Sequence, residues 1–140
     1  MSSRTKRSRQ PDSVLTFFLD QGLGRYDVAA AVRSAGFVCL PAHEVYPEAG
    51  RSPVADDVWI QRCAHENWVA LTKDTAILRH HKHALSGKNL RVFAFDSARL
   101  TGVDMAARFV NLSNRIAQRC RRPGPFVDVL HATSIERRWP

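Results

Sequence analysis

Apolar residues in this chain come in short runs separated by charged and turn-forming segments. Val14-Leu15-Thr16-Phe17-Phe18-Leu19 is almost continuously apolar. Such a run suits a strand of a parallel sheet that is covered on both faces. Gly22 and Gly24 follow as a turn, and Asp27 is placed to cap a helix running to about Ser34. Val28, Ala31, Val32 and Ala35 form the helix's apolar stripe, and Gly36 ends it. Phe37–Leu40 reads as a second strand, stopped by Pro41. Residues 41–54 hold Pro41, Pro47, Gly50 and Pro53 without periodicity, and read as one long loop. Asp56 or Asp57 then opens a helix with Val58, Trp59, Cys63 and Ala64 on its inner face. Trp68–Thr72 is the third strand, Thr75–Leu85 a helix closed by Ser86-Gly87, and Leu90–Phe95 the fourth strand. Thr101 and Asp104 have capping-box spacing before a helix to about Gln118, whose core side carries Met105, Phe109, Leu112 and Ile116. After Pro123-Gly124-Pro125, Phe126–His131 reads as an added edge strand, which the last residues either pair with or leave frayed.

Strands alternating with helices predict an α/β fold. The expected architecture is a single three-layer domain with a mostly parallel central sheet of 4–5 strands and helices on both faces. A length of 140 residues suits one such domain, preceded by a disordered basic tail over residues 1–13, with the domain spanning 14–140. No run of about 18 apolar residues is present to span a membrane. The stretch after the basic tail is too short for the core of a signal peptide, so the expected compartment is the cytoplasm. Cys39, Cys63 and Cys120 are far apart and lack CxxC spacing, which points to buried reduced thiols. The formal net charge is +8, with Arg4, Lys6, Arg7 and Arg9 in the tail and Arg119, Arg121 and Arg122 in one run. A polyanionic partner would explain that charge, but so would a tail serving solubility.

Three aspartates stand where elements meet. Asp20 closes the first strand, Asp74 the third, and Asp56 opens the helix between them. Each taken alone is explained as a turn or cap residue. Right-handed crossovers, however, bring strand ends and helix starts onto one edge, where ligands of open α/β sheets bind. Carboxylates gathered there repel one another unless a cation lies between them, and oxygen donors suit Mg²⁺ or Mn²⁺. That points to a metal-dependent enzyme acting on phosphate esters.

The segments Phe17-Phe18-Leu19-Asp20, Asp56-Asp57-Val58-Trp59-Ile60 and Trp68-Val69-Ala70-Leu71-Thr72-Lys73-Asp74, in this order, resemble the PIN-like nucleases, and most closely their VapC-type toxins. Thr101–Ala106, Phe109-Val110 and Pro125-Phe126 extend the resemblance over about residues 15–130. It implies an endoribonuclease dependent on Mg²⁺ or Mn²⁺, the toxin of a toxin–antitoxin pair, leaving a 3′-hydroxyl and a 5′-phosphate. Its expected partners are an RNA substrate, a cognate antitoxin and a second copy in a homodimer. By this resemblance Asp20, Asp56 and Asp74 are the catalytic and metal-binding acids. Asp56 is preferred to Asp57 because it lies three residues before Trp59. Asp57, Asp96 and Glu44 remain further acidic candidates. Thr72, Lys73 and Arg79 are candidates for substrate contact, with Thr72 placed to hydrogen-bond a ligating carboxylate or water.

Other clusters carry less. Arg79-His80-His81-Lys82-His83 has no i,i+4 histidine pair and no nearby cysteine or carboxylate, so it reads as a solvated basic helix end. His43, His65 and His131 are isolated and receive no role. Tyr46 and Trp139 are the aromatics considered for stacking on bases. The alternative to a nuclease is a non-catalytic RNA- or protein-binding module. Phosphoryl transfer through Asp20 is disfavoured, because a dehalogenase-like site would want an acid at position 22, which is Gly22.

Overall fold

The computed structural model describes residues 14–50 and 52–140. The basic tail expected over 1–13 lies outside them. Six strands form one sheet: β1 (Thr16–Leu19), β2 (Val38–Pro41), β3 (Val69–Thr72), β4 (Arg91–Phe95), β5 (Phe126–Leu130) and β6 (Ile135–Trp139). Their spatial order is β2-β1-β3-β4-β5-β6. All neighbours run parallel except β6, which returns antiparallel to β5. The helices are α1 (Asp27–Ser34), α2 (Ala42–Val45), α3 (Asp56–Glu66), α4 (Ile77–Leu85) and α5 (Gly102–Arg119).

Alternation along the strands separates two cores. Phe17 and Leu19 of β1, Val69 and Leu71 of β3, and Phe93 and Phe95 of β4 face one layer, where α1 supplies Val28 and Val32 and α5 supplies Met105, Phe109, Leu112 and Ile116. Phe18, Ala70 and Val92 face the other, against Trp59, Ile60 and Cys63 of α3 and Ile77 and Leu85 of α4. This is the three-layer arrangement that near-continuous apolar strands require. Phe18 is stacked on Trp59 with ring centroids 5.6 Å apart, which fixes α3 to β1. The three cysteines are buried and unpaired, and burial pushes the Cys39 thiol up to about 11. No helix among the described residues is long and apolar enough to cross a membrane.

The sheet departs from the expected one at its far edge. The strand at 126–130 is internal and fully buried, and the last residues form the edge strand β6. Asp128, with no exposed surface, adds a charged tie to the ladder between the two. Arg119 of α5 and Arg137 of β6 both donate to its carboxylate. His131, expected to have no role, joins the same region by contacting Asp96 at 3.2 Å and Glu136 at 2.7 Å. Hydrogen bonds from Arg138 and then from His131 hold the exposed Glu136 carboxyl down at about 2.

Smaller differences have local causes. Asp27 lies inside the first turn of α1, and Tyr26 occupies the cap position with no capping bond from its side chain. On α3, Val58 points to solvent and Ile60 takes its place in the core. The 41–54 stretch contains α2 and a 3₁₀ turn at Pro47–Ala49. Thr101 caps α5 as expected, its hydroxyl accepting from the Asp104 amide at 3.1 Å.

Candidate active site at the sheet's switch point

The order β2-β1-β3 reverses direction between β1 and β3. The chain leaves β1 toward α1 on one face and β3 toward α4 on the other, so a crevice opens at the carboxyl ends of these two strands. Asp20 is the first residue beyond β1 and Asp74 the second beyond β3. The Asp20 amide donates to Leu71 O at 3.0 Å, extending the β1–β3 ladder to the acid itself.

Thr72, the fully buried last residue of β3, ties the two together. Its hydroxyl donates to Asp20 Oδ2 at 2.8 Å and accepts from the Asp74 amide at 3.1 Å. Both hydroxyl functions are thereby engaged inside the protein. Thr72 thus holds the acids in place, the contact with a carboxylate expected of it. Asp74 Oδ1 accepts from the Ala76 amide at 2.9 Å and shapes the turn before α4.

Asp56 enters from the first turn of α3. Trp59, anchored on Phe18, donates its indole Nε1–H to Asp56 Oδ1 at 2.9 Å. The three-residue spacing of this pair is the helix repeat that places a side chain over the turn before it. On its other oxygen, Asp56 Oδ2 lies 3.1 Å from His81 Nε2. Helix α4 is broken at His81 (φ −129°, ψ 18°), the residue whose ring reaches across to α3. The histidine cluster therefore contributes one member to the acid edge, a contact that local spacing along α4 could not reveal.

Asp20 feels the charges of the other two carboxylates. Burial pushes the Asp20 carboxyl above its ordinary value, against the hydrogen bond from Thr72. The Asp56 charge raises it further, the Gln21 backbone amide lowers it, and the Asp74 charge raises it again. The three acids offer carboxylate oxygens, donors that suit a hard divalent cation, with the His81 ring already on one oxygen of Asp56. Among the described residues, no group of three or more His, Cys, Asp or Glu side chains is drawn together tightly enough to enclose an ion. Asp56 is held by Trp59 and His81, and Asp74 by its own turn.

The remaining candidates lie elsewhere. Asp57 is exposed on α3 beside Asp56. Asp96 follows β4, but Arg108 Nη1 donates to its Oδ1 at 2.6 Å and His131 meets its Oδ2. Burial raises the Asp96 carboxyl, and the hydrogen bonds and charges of Arg108 and His131 outweigh that, leaving it below its ordinary value. Glu44 pairs with Arg33 at 3.5 Å on the β2 side. Each of these two acids has found a cation of its own. Lys73 runs its stem against the loop after Asp20, where a Cβ on Gly22 would stand 3.3 Å from Lys73 Cε. Arg79 is exposed in the first turn of α4. The aromatics considered for base stacking are both packed inward. Tyr46 sits edge-on to Phe18 with its hydroxyl buried, and Trp139 packs on the α3/α4 core.

Residues 15–97 match the family model described as "PIN like domain". The chain is 31% identical over 135 residues to "Putative ribonuclease VapC45" of Mycobacterium tuberculosis (strain ATCC 25618 / H37Rv), covering 91% of this chain and 98% of that protein. No solved structure gives a significant match. The family match takes in β1 through β4 with all three acids of the crevice, and on that span the chain belongs to the PIN-like domain family, in its VapC-type branch.

Proposed function

We propose that this protein is a divalent-metal-dependent endoribonuclease and the toxin of a toxin–antitoxin pair, with Asp20, Asp56 and Asp74 as its catalytic acids. The observation that carries the reading is the convergence of three carboxylates at the switch point, with Asp20 buried under the charges of the other two. A cation would offset that repulsion, and a relative described as a ribonuclease aligns along nearly the whole chain.

Bound Mg²⁺ or Mn²⁺ would supply charge neutralisation at the scissile phosphate and a water acidic enough to attack it. The protein's own part is to hold the donors. Thr72 fixes Asp20 in the orientation of a ligand and locks Asp74 to the same strand end. Trp59 sets the angle of Asp56, and His81 keeps the second oxygen of Asp56 occupied until a stronger partner displaces it. Lys73 and Arg79 lie beside this edge as phosphate contacts. An RNA substrate, a cognate antitoxin and a homodimeric state belong to the same proposal.

The test is cleavage of total RNA by the purified chain with added Mg²⁺ or Mn²⁺. Cleavage to 5′-phosphate ends should stop with EDTA, and Asp74→Asn should lower the rate by at least about a thousandfold while staying folded. Undiminished metal-dependent cleavage by both Asp20→Asn and Asp74→Asn would overturn the assignment. A second reading, a non-catalytic binding module, draws support from the engagement of Asp56 by Trp59 and His81 and of Asp74 by Ala76. It predicts salt-sensitive RNA binding with no gain in thermal stability from either metal.

A further inference from the structure

A second cleft of about 380 Å³ begins where the acid cluster ends. Its walls are the loop from Gly22 to Asp27, the Lys73 side chain and the start of α5 at Gly102. The loop is continuous with Asp20, and Lys73 stands between Thr72 and Asp74. Any chain that crosses the acids toward α1 enters this cleft.

Its lining is unusual for a surface hollow. Tyr26 is 78% exposed, the most exposed large apolar side chain among the described residues. One exposed aromatic is ordinary in itself. Here it shares the cleft with Arg25, Lys73 and Asp27, and none of these three makes an ion pair or side-chain hydrogen bond among the described residues. Two cations and a carboxylate left unpaired beside an open ring are what a nucleotide needs: a stacking face, cations for phosphate and an acceptor for a base edge. The backbone is also shaped for it. Gly24 (φ +79°) turns the loop in a conformation that disfavours other residues. Gly102 lets Asp27 approach so closely that a Cβ there would stand 2.8 Å from Asp27 Oδ2. The missing Cβ leaves room for the carboxylate at the cleft wall.

We propose that this cleft is a nucleotide subsite for the RNA strand next to the position cut, an assignment that builds on the ribonuclease reading. Tyr26 stacks on the base, Arg25 and Lys73 take the flanking phosphates, and Asp27 accepts hydrogen bonds from the base edge. A carboxylate selects bases that offer N–H donors. Guanine offers two adjacent ones, whereas the single imino N–H of uracil lies between two carbonyl oxygens. The subsite therefore prefers guanine to uracil.

The experiment measures binding of short fluorophore-labelled single-stranded RNAs to the full chain in EDTA, where no cleavage interferes. Tyr26→Ala should bind about tenfold more weakly, and Tyr26→Phe within about twofold of the wild type, because stacking needs the ring and not the hydroxyl. Lys73→Ala should reduce the slope of log affinity against log salt by about 0.7, the effect of one phosphate contact on a single strand. A guanine-containing RNA should outbind its uracil counterpart, and Asp27→Ala should erase the difference. Unchanged binding by Tyr26→Ala would overturn the subsite, and so would a guanine preference that survives in Asp27→Ala. Tyr26 is exposed, so loss of fold is not the expected cause of any effect. The same variants in the cleavage assay separate the two proposals. Weakened binding by Tyr26→Ala, with no cleavage by the wild type in Mn²⁺, keeps the subsite and removes the nuclease. Wild-type cleavage with KM unmoved by Tyr26→Ala removes the subsite alone.

Discussion

Asp20 is a partly buried carboxyl whose charge works against the stability of the fold. Its carboxyl is raised above the ordinary 3.8 by burial first, and then by the charges of Asp56 and Asp74. A carboxyl with a raised value in the folded state favours the fold most while protonated. That contribution is lost as the pH climbs through the raised value, so near neutrality the ionised Asp20 weakens the metal-free protein. Asp20→Asn keeps an oxygen for Thr72 and removes the charge. In EDTA near neutral pH it should melt at a higher temperature than the wild type, and the gap should close as the pH falls toward the ordinary carboxylate range. Saturating Mn²⁺ should reverse the order, since a hundredfold excess over Kd adds about 2.7 kcal/mol to the protein that binds it. Calorimetry with and without metal reads both arms. If Asp20→Asn melts lower in EDTA and the metal moves neither protein, Asp20 is a structural turn residue. The sequence carried Asp20 and Asp74 clearly because each stands at the end of an apolar run. It could not carry His81, whose contact with Asp56 spans 25 positions by residue number and depends on a break inside α4. Tyr26 was equally hidden. Nothing in Gly-Arg-Tyr-Asp says that its ring stays exposed while Tyr46 and Trp139 turn inward.

At the scale of elements, the β-α units were legible wherever an apolar run met a turn residue. Phe17 and Phe18 both had to be buried, which required helices on both faces, and both faces are covered. The exception is the β5–β6 hairpin. Ile135-Glu136-Arg137-Arg138-Trp139 is mostly charged, so its pattern left pairing and fraying both open, and it forms the sixth strand. Besides the ladder and the packing of Ile135 and Trp139, its attachment has a specific electrostatic part, because Arg137 meets the buried Asp128 across the ladder while Arg119 meets the same carboxylate from α5. A pairing of positions 119, 128 and 137 has no local signature. Asp128→Ala should therefore destabilise the protein by about 3 kcal/mol, in the range seen when one partner of a buried ion pair is removed. Both arginines keep some solvent access, which limits the loss. Urea unfolding gives the magnitude, and hydrogen exchange gives the place: β6 amides should lose protection while those of β1 and β3 keep theirs. A uniform loss across the sheet would mean that the hairpin is not the unit that Asp128 secures.

For the whole molecule, the formal charge of +8 is a poor guide until its location is known. Many arginines serve the fold. Arg33, Arg62, Arg91, Arg108, Arg115, Arg119, Arg137 and Arg138 each donate to a carboxylate or a backbone carbonyl. Among the cations without such a contact in the described residues, two groups bear on the path of RNA. Arg25, Lys73, Arg79 and Arg99 belong to the loops and helix start at the carboxyl edge of the sheet, where the acids are. Arg121 and Arg122 follow α5, which runs back from that edge, and so lie at the opposite one. If RNA crosses the acid edge, only the first group releases counterions on binding. Arg79→Ala combined with Arg99→Ala should then flatten the salt dependence of single-stranded RNA affinity by about 1.4 in the log–log slope. Arg121→Ala combined with Arg122→Ala should leave it unchanged. Neither pair touches a carboxylate, so melting temperatures should stay close to that of the wild type. Equal flattening by both pairs would mean that RNA responds to overall charge, without a defined path across the acid edge. A slope that responds only to the first pair sets the RNA across the crevice between β1 and β3, within reach of Asp20 and Asp74.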